Sequence, residues 1–552
     1  MSKEQPSKDR DGSNRKDPTS PSPVIQSAEA ELAGPDEPQS PAEGAVLLLS
    51  VFVVASCGIA YELVIGATGA YISGDGVTQF SLTIGVYLFA MGLGSFLSRQ
   101  VKTNLLSTFI SIELVVGLVG GFANTILFLV YGFMTGYEVV FYSVLIFVGM
   151  MIGLEIPLLL RLLSQYGSLR INVANVLGLD YVGALLVAVA FPLVLLPALG
   201  LMRTSLLFGI LNVAVAGGNL IFFRKRRLSK ALPVMVVVSL LALLVTFAYS
   251  NRLVQLGEAE QYDDEIILTR QTRYQRIVLT RWQGEIRLFL DRNIQFSSRD
   301  EHRYHEALVH PALSTIPNRD RILILGGGDG LGLREVLKYP DVKEVVLVDL
   351  DKEMVDLCRT NEHIRKVNKN SLSSKRVKLV YRDAWTWLKE NHGRFNAILV
   401  DMPDPSSEKV AKLYSLGFYR MCRRHLAADG ALVVQSTSPY FAPGAFWCIH
   451  ETLKAAKLHV TPIHVHVPTF GMWGFNLASF KPMPWRQSRP KVKTRFLSPD
   501  LWPSLFRWPK DQPPLDVEIS TLDNPRALYY YLRGYRAHFR ARTGDAAKRR
   551  HR

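Results

Sequence analysis

The stretch Arg321-Ile-Leu-Ile-Leu-Gly-Gly-Gly-Asp-Gly330 decides how the C-terminal half of this chain folds. An apolar run leads straight into three glycines, an acid and another glycine, and residues 331–339 then read as a helix. Strand, glycine loop and helix in that order open a nucleotide-binding α/β unit. The glycines let a ligand approach the backbone, and the helix start faces it. Asp329 is the unusual member. A loop made for a phosphate or a carboxylate would not set an anion there, so the nearby end of the ligand is expected to be cationic.

Outward from this stretch, strands at 322–325, 344–348, 377–380, 397–400 and 431–435 alternate with helices. That pattern predicts a mainly parallel, doubly wound Rossmann-like sheet. Ligands of such sheets bind where the strands end. At those ends the sequence places Asp329, then Asp349 in Val348-Asp-Leu-Asp351, then Asp383 before Ala384, then Asp401 with Asp404. Asp349 follows the glycines by about 20 residues, the spacing at which an acid takes ribose hydroxyls. One such Asp is most simply a helix cap or a turn residue. Four strand ends in register suggest a carboxylate-lined site for a cation. A nucleoside carrying a sulfonium and an amine, met by a second amine, would fit.

The rest of the 552 residues differ in character. Residues 1–44 are polar, rich in Ser, Pro and charge, and are expected to be disordered. Residues 45–250 hold about seven apolar stretches, near 45–66, 79–98, 105–131, 138–160, 178–199, 203–223 and 231–249, each long enough to cross a bilayer. Gly85, Ala90, Gly92 and Gly94 suit close helix packing in lipid. Glu62, Glu113, Glu155 and Asp180 lie in or beside these runs, where acids are costly and often functional. Residues 251–299 alternate in short runs, with Gln283-Gly284 as a turn, and predict a small antiparallel β unit. Residues 300–485 form the Rossmann-like domain, and 486–552 a Pro-, Trp- and Arg-rich extension with a basic tail.

The formal net charge is +16, concentrated in short loops such as Arg224-Lys-Arg-Arg227 and in that tail. Membrane topology accounts for this better than nucleic-acid binding. Cys57, Cys358, Cys422 and Cys448 are far apart, without disulfide or zinc spacing, and His459, His464 and His466 are too dispersed for a metal. No metal site is expected. Loops with Arg99 and Lys102, with Arg161 and Arg170, and over 224–230 are basic and alternate, which puts the N-terminus in the cytoplasm. Seven spans would then leave the C-terminal domain outside. The expectation adopted is that one segment does not cross and that the C-terminal domain is cytoplasmic, where a nucleoside ligand would be found.

The motifs together resemble the spermidine synthase family, the polyamine aminopropyltransferases. They are Leu290-Asp-Arg-Asn-Ile-Gln295, Asp300-Glu301 with Tyr304-His-Glu306, the glycine loop with Arg334-Glu335, Val348-Asp-Leu-Asp351, Asp383, Asp401 to Pro405, and Gln435. The apolar half is similar to the membrane region fused to some bacterial members. The resemblance implies decarboxylated S-adenosylmethionine as co-substrate, with no tightly bound cofactor, and putrescine or a related amine as acceptor. The products would be spermidine and methylthioadenosine. It further implies that Gln275, Asp349, Asp383, Ala384, Gly326 and Gly328 hold the donor. His305, Asp329, Asp404, Tyr304 and Gln295 would hold the amine parts, with Asp401 as general base. The other expected partner is the lipid bilayer of the bacterial inner membrane, and self-association is left open.

The sequence departs from the family at Arg292 (usually Gly), Asp349 (usually Glu), Ala384 (usually Gly) and Ser406-Ser407-Glu408 (usually Gly-Pro). Those changes bear on the acceptor more than on the reaction. Tyr414 could flank a ligand or pack in the core, and Phe470-Gly-Met-Trp-Gly-Phe475 could cover the site. Two other readings stay open. Methyl transfer from S-adenosylmethionine is disfavoured by Asp329, which would repel the carboxylate that a methyl donor keeps. A non-catalytic polyamine sensor or transporter is disfavoured by Asp401, Asp404 and Gln275 standing together.

Overall fold

A computed structural model describes residues 41–73, 76–133, 137–226, 228–259, 262 and 264–535. Most of the polar N-terminal segment and the basic tail lie outside the described residues. Two compact units form, one from the long helices up to Ser250 and one containing what is described after it.

The long helices are α1 (Pro41–Ser73), α2 (Gly76–Leu97), α3 (Leu105–Phe133), α4 (Tyr137–Leu163), α5 (Leu169–Ala190), α6 (Leu196–Phe222) and α7 (Leu232–Ala259), and the first unit takes them without residues 66–82, 128–137 and 251–259. Six apolar runs are long enough to span a membrane, and one of them, Leu169–Phe222, has 54 residues. At about 1.5 Å per residue that run is more than twice a bilayer core. It breaks at Gly200, whose φ of 73° is left-handed. The break is a reversal. Along α1, Gly183 of α5 meets Phe52 and Ser56, with Val176 in the cluster of Leu47 and Val51, so α5 runs with α1. Asn219 of α6 bonds Ser50, while Cys57 reaches the Phe208 carbonyl, so α6 runs against α1.

The same test orders the others. Tyr166, just past α4, bonds Glu43, and Ile152 meets Gly58, so α4 opposes α1. Gly149 of α4 meets Ala90 of α2, and Arg161 bonds the Ser98 carbonyl, so α2 runs with α4. Gly117 and Gly121 of α3 face Val213 and Gly209, so α3 opposes α6. Val236 faces Gly217 and Ser250 accepts from Arg203, so α7 also opposes α6. All seven therefore alternate in direction. Glu43, Tyr166 and Arg226 meet at one end, which gathers the basic loops where α1 begins.

The second unit starts with an antiparallel sheet of β1 (Glu265–Gln271), β2 (Arg276–Trp282), β3 (Glu285–Leu290) and β4 (Asn293–Ser297), in that order. The two units divide after Ser250, although α7 itself runs on to Ala259. Gln283 and Gly284 both have positive φ, the geometry of a tight hairpin turn. The next hairpin needs it too. Asp291 and Arg292 sit at φ 45° and 70°, so Arg292 keeps the turn that a glycine would make more cheaply.

Seven strands form the main sheet: β5 (Arg321–Gly326), β6 (Glu344–Asp349), β7 (Val377–Tyr381), β8 (Phe395–Asp401), β9 (Leu426–Gln435), β10 (His459–Val467) and β11 (Gly471–Ser479). The order is β10-β11-β9-β8-β5-β6-β7, with β5 to β9 parallel and the β10–β11 hairpin antiparallel at one edge. Val, Ile and Leu fill both faces of the central strands, and those faces form two apolar clusters. Residues after 485 join this domain. Trp502, Leu505 and Phe506 are in its core, and Glu306 accepts the backbone N–H groups of Arg495, Phe496 and Leu497. A helix follows over 526–535.

Candidate active site

The carboxyl ends of β5, β6 and β8 deliver three acids around the glycine loop. Gly326 pairs with Asp401 in register, and the Gly327 N–H donates to the Asp401 carbonyl at 3.0 Å. A Cβ on Gly326 would strike that carbonyl, and its φ of 83° would strain any other residue as well. A Cβ on Gly328 would come within 2.6 Å of Asp349 Oδ2. The loop is thus wedged between Asp349 and Asp401, and glycine is what lets it fit. Asp329 Oδ1 accepts from the Leu331 N–H at 2.9 Å, which caps α9 (Leu331–Val336).

Enclosure sets the electrostatics. Burial pushes Asp349 up to about 6, against hydrogen bonds from the backbone of Asp351 and Gly328. Asp401 is also pushed up to about 6, by desolvation first and by the Asp329 charge, while His305 and the Tyr304 hydrogen bond oppose the rise. Burial likewise raises Asp329, with His305 pulling it back. His305 lies on α8 (Glu301–Leu313). Burial there disfavours its charge, but the Glu301 hydrogen bond and the charges of Asp329, Glu301 and Asp401 outweigh it and hold the imidazole at about 9. His305 is therefore a cation at neutral pH.

Tyr304 donates to Asp401 Oδ1 at 2.7 Å. Its ring rests against Phe470, Trp473 and Phe475 of the aromatic hairpin, so that segment does border the site. Asp404 accepts from Gln435 Nε2 at 2.9 Å and from the Thr437 hydroxyl at 3.2 Å, and burial lifts it to about 6. Tyr414 is fully buried and bonds the Pro403 carbonyl and Gln435, so it braces the Asp401–Asp404 turn from beneath.

Other expected residues are tied up in their own surroundings. Asp383 caps the helix Ala384–Glu390 through the Thr386 N–H, and its second oxygen meets Lys412 Nζ at 2.8 Å. Burial would raise it, but Lys412 and Thr386 hold it below the ordinary value. Gln275 donates to Asp351 Oδ2 at 3.0 Å, one residue past the neighbour of Asp349. Gln295 bonds back to the Asn293 carbonyl inside its hairpin, and no hydrogen bond among the described residues links it to the acids.

Two groups carry no role in the sequence reading. Arg334 clamps both oxygens of Glu301 at 2.8 Å, and Glu301 in turn holds His305 Nδ1 at 2.9 Å. Arg334-Glu335 and Asp300-Glu301 were visible as motifs, but their mutual contact spans 33 residues and needs the fold. Tyr531, from the C-terminal extension, hydrogen-bonds Asp404, and Tyr535 bonds Thr437. Nothing in the local sequence marked them. Among the described residues, Glu306, His310 and Glu335 group closely enough to hold a metal ion. Their atoms are already engaged: Glu306 by backbone N–H groups, His310 by Tyr339 and Glu335, and Glu335 by Arg334 and Lys338.

The Spermine/spermidine synthase domain matches residues 301–489. The polyamine aminopropyltransferase of Leptospira interrogans is 44% identical over 488 residues, covering 88% of this chain and 98% of the relative. The chain belongs to the polyamine aminopropyltransferases. It is therefore a transferase, and its relatives share the helical half as well as the catalytic one. Polyamine aminopropyltransferase 2 of Ralstonia nicotianae is 45% identical over 500 residues (88% and 97% covered), and the Mycobacterium tuberculosis polyamine aminopropyltransferase is 37% identical over 501 residues (88% and 95% covered). A solved spermidine synthase from Thermotoga maritima gives a TM-score of 0.41 at 23% identity, covering 45% of this aminopropyltransferase and 85% of that chain.

Proposed function

We propose that this enzyme moves the aminopropyl group of decarboxylated S-adenosylmethionine to putrescine, giving spermidine and methylthioadenosine. The observation that carries the reading is the gathering of Asp329, Asp349 and Asp401 around one glycine loop, with Asp404 three residues beyond Asp401. An ammonium has no lone pair, so the acceptor must first lose a proton. Asp401, at about 6, is ionised at neutral pH and can take it. The freed nitrogen attacks the carbon bonded to sulfur. That C–S bond breaks, its electron pair stays on sulfur, and the sulfonium leaves as a neutral thioether. Alignment of nitrogen, carbon and sulfur supplies much of the remaining acceleration. Asp349 with Gln275 is assigned to the nucleoside, Asp329 to the donor's amine, and Asp404 to the acceptor's.

The deciding experiment supplies purified protein with decarboxylated or intact S-adenosylmethionine and a panel of amines. Methylthioadenosine from the decarboxylated donor supports the proposal. S-adenosylhomocysteine from the intact donor would overturn it in favour of methyl transfer.

Tyr531 and Asp404 share a hydrogen bond, which suggests that the C-terminal helix shapes the acceptor end. Tyr531→Phe is expected to raise the acceptor KM several-fold and leave the donor KM unchanged. Steady-state kinetics with each substrate varied in turn checks this, and equal changes in both would mean a purely structural contact.

We also place the protein in the cell membrane as a multi-pass protein. Seven alternating helices would bring the chain out at the face opposite its start. The basic loops favour that starting face as cytoplasmic. An intracellular donor favours the other. Reporters fused before Met1 and after Arg552 are expected to give opposite responses, and the one after Arg552 tells where the donor must be. Matching responses would mean that one helix does not cross.

A further inference from the structure

We propose that the helical bundle holds a second binding site, for an alkyl-diammonium cation, built on Glu113 and Glu155. Glu113 on α3 and Glu155 on α4 are both 0% exposed, and among the described residues none of their carboxylate oxygens has a hydrogen-bond partner. They lie within Coulombic reach of each other and of Tyr61 on α1. The Tyr61 hydroxyl is fully buried and equally unpartnered. Asn212 on α6 sits against Gly117, one turn along α3 from Glu113, and both of its amide atoms lack partners. Four helices thus turn polar groups inward, while Ile152 and Val213 supply apolar surface beside them.

Such groups need a partner in an apolar interior. Protons alone would neutralise the acids, but among the described residues no donor, the Tyr61 hydroxyl and the Asn212 amide included, hydrogen-bonds a carboxylate oxygen of either. A metal ion needs converging ligands. Among the described residues, the one such set within 4.8 Å is Glu306, His310 and Glu335, in the other unit. A linear diammonium ion meets both conditions, with N–H donors at its ends and methylenes between them. Its identity as the enzyme's own acceptor rests on the function proposed above. The site itself does not.

The test is equilibrium dialysis of the full-length protein in detergent against radiolabelled putrescine. Wild type is expected to bind two putrescines per chain, and a Glu113→Gln/Glu155→Gln variant one, with aminopropyl-transfer kinetics unchanged. One site in wild type, or two kept by the variant, overturns the proposal. If the variant fails to fold, the native protein still answers. Dicyclohexylcarbodiimide attacks protonated carboxyls in apolar surroundings, and mass spectrometry should find adducts at Glu113 or Glu155 that putrescine suppresses. Adducts indifferent to putrescine, or suppressed only by sodium ion or raised pH, overturn it. A protein that binds two putrescines but makes no methylthioadenosine would refute the proposed function and leave this site standing.

Discussion

Asp401→Asn is expected to lower turnover by about 100- to 10,000-fold, the usual worth of a positioned general base. Asparagine keeps the shape, and its amide can still accept from Tyr304, so the loop around Gly327 should hold. What disappears is the site for the acceptor's proton. Binding of the nucleoside, measured by calorimetry with methylthioadenosine, should change little. Full activity in this variant would eliminate Asp401 as the base. The pH profile gives a second check. A base must be ionised to act, and Asp401 sits at about 6, so kcat/KM should fall below that pH by about tenfold per unit. Stability should not fall with it. Asp349, Asp401 and Asp404 are all raised to about 6. Each binds its proton more tightly folded than unfolded, so acidification from about 6 toward 4 favours the fold through these groups.

Glu301→Gln is expected to cost about 3–5 kcal/mol, the penalty for breaking a buried ion pair from one side. Glu301 is 2% exposed and answers to both Arg334 and His305. The variant leaves a buried guanidinium half-paired and removes the group that keeps His305 charged. Urea unfolding followed by tryptophan fluorescence measures the loss, and a change below about 1 kcal/mol would mean the clamp is slack. The acid limb of stability should report the same network. Burial opposes ionisation of Glu301 and Glu335, but their partners win and hold both at about 2. Their folded pKa values lie below the ordinary 4.5, so their contribution is complete above that pH and disappears as pH falls toward 2. His305, raised to about 9, has the opposite sense: its contribution is full below 6.5 and is lost as pH rises through 9.

The parallel sheet was readable from the sequence because hydrophobic runs and glycine punctuation are local signals. So was the edge shared by Asp329, Asp349 and Asp401, since parallel strands in register must end side by side. Asp383 shows the limit of that logic. Its position follows from the strand, but its partner Lys412 lies 29 residues on, and only the folded chain brings the two together. Gln295 shows another, since a residue inside a matching motif can still spend its hydrogen bond within its own hairpin. The reversal at Gly200 falls in the gap the sequence left between the stretches 178–199 and 203–223, but both sides are equally apolar, so only the left-handed dihedral shows how the chain folds back. Tyr531 was out of reach because aromatic residues near a terminus have no period that assigns them to a site.

Thr437 holds a left-handed φ of 56°, a conformation that a β-branched residue resists, and from it the hydroxyl reaches Asp404. A screen for thermostable variants would be drawn to this position, because glycine or asparagine there relaxes the backbone. Such a variant would survive heat better while losing one of the hydrogen bonds that aim the Asp404 carboxylate, the group proposed to hold the acceptor amine. Hardiness and catalytic skill are set against each other at this residue, and improving one would have to be checked against the other.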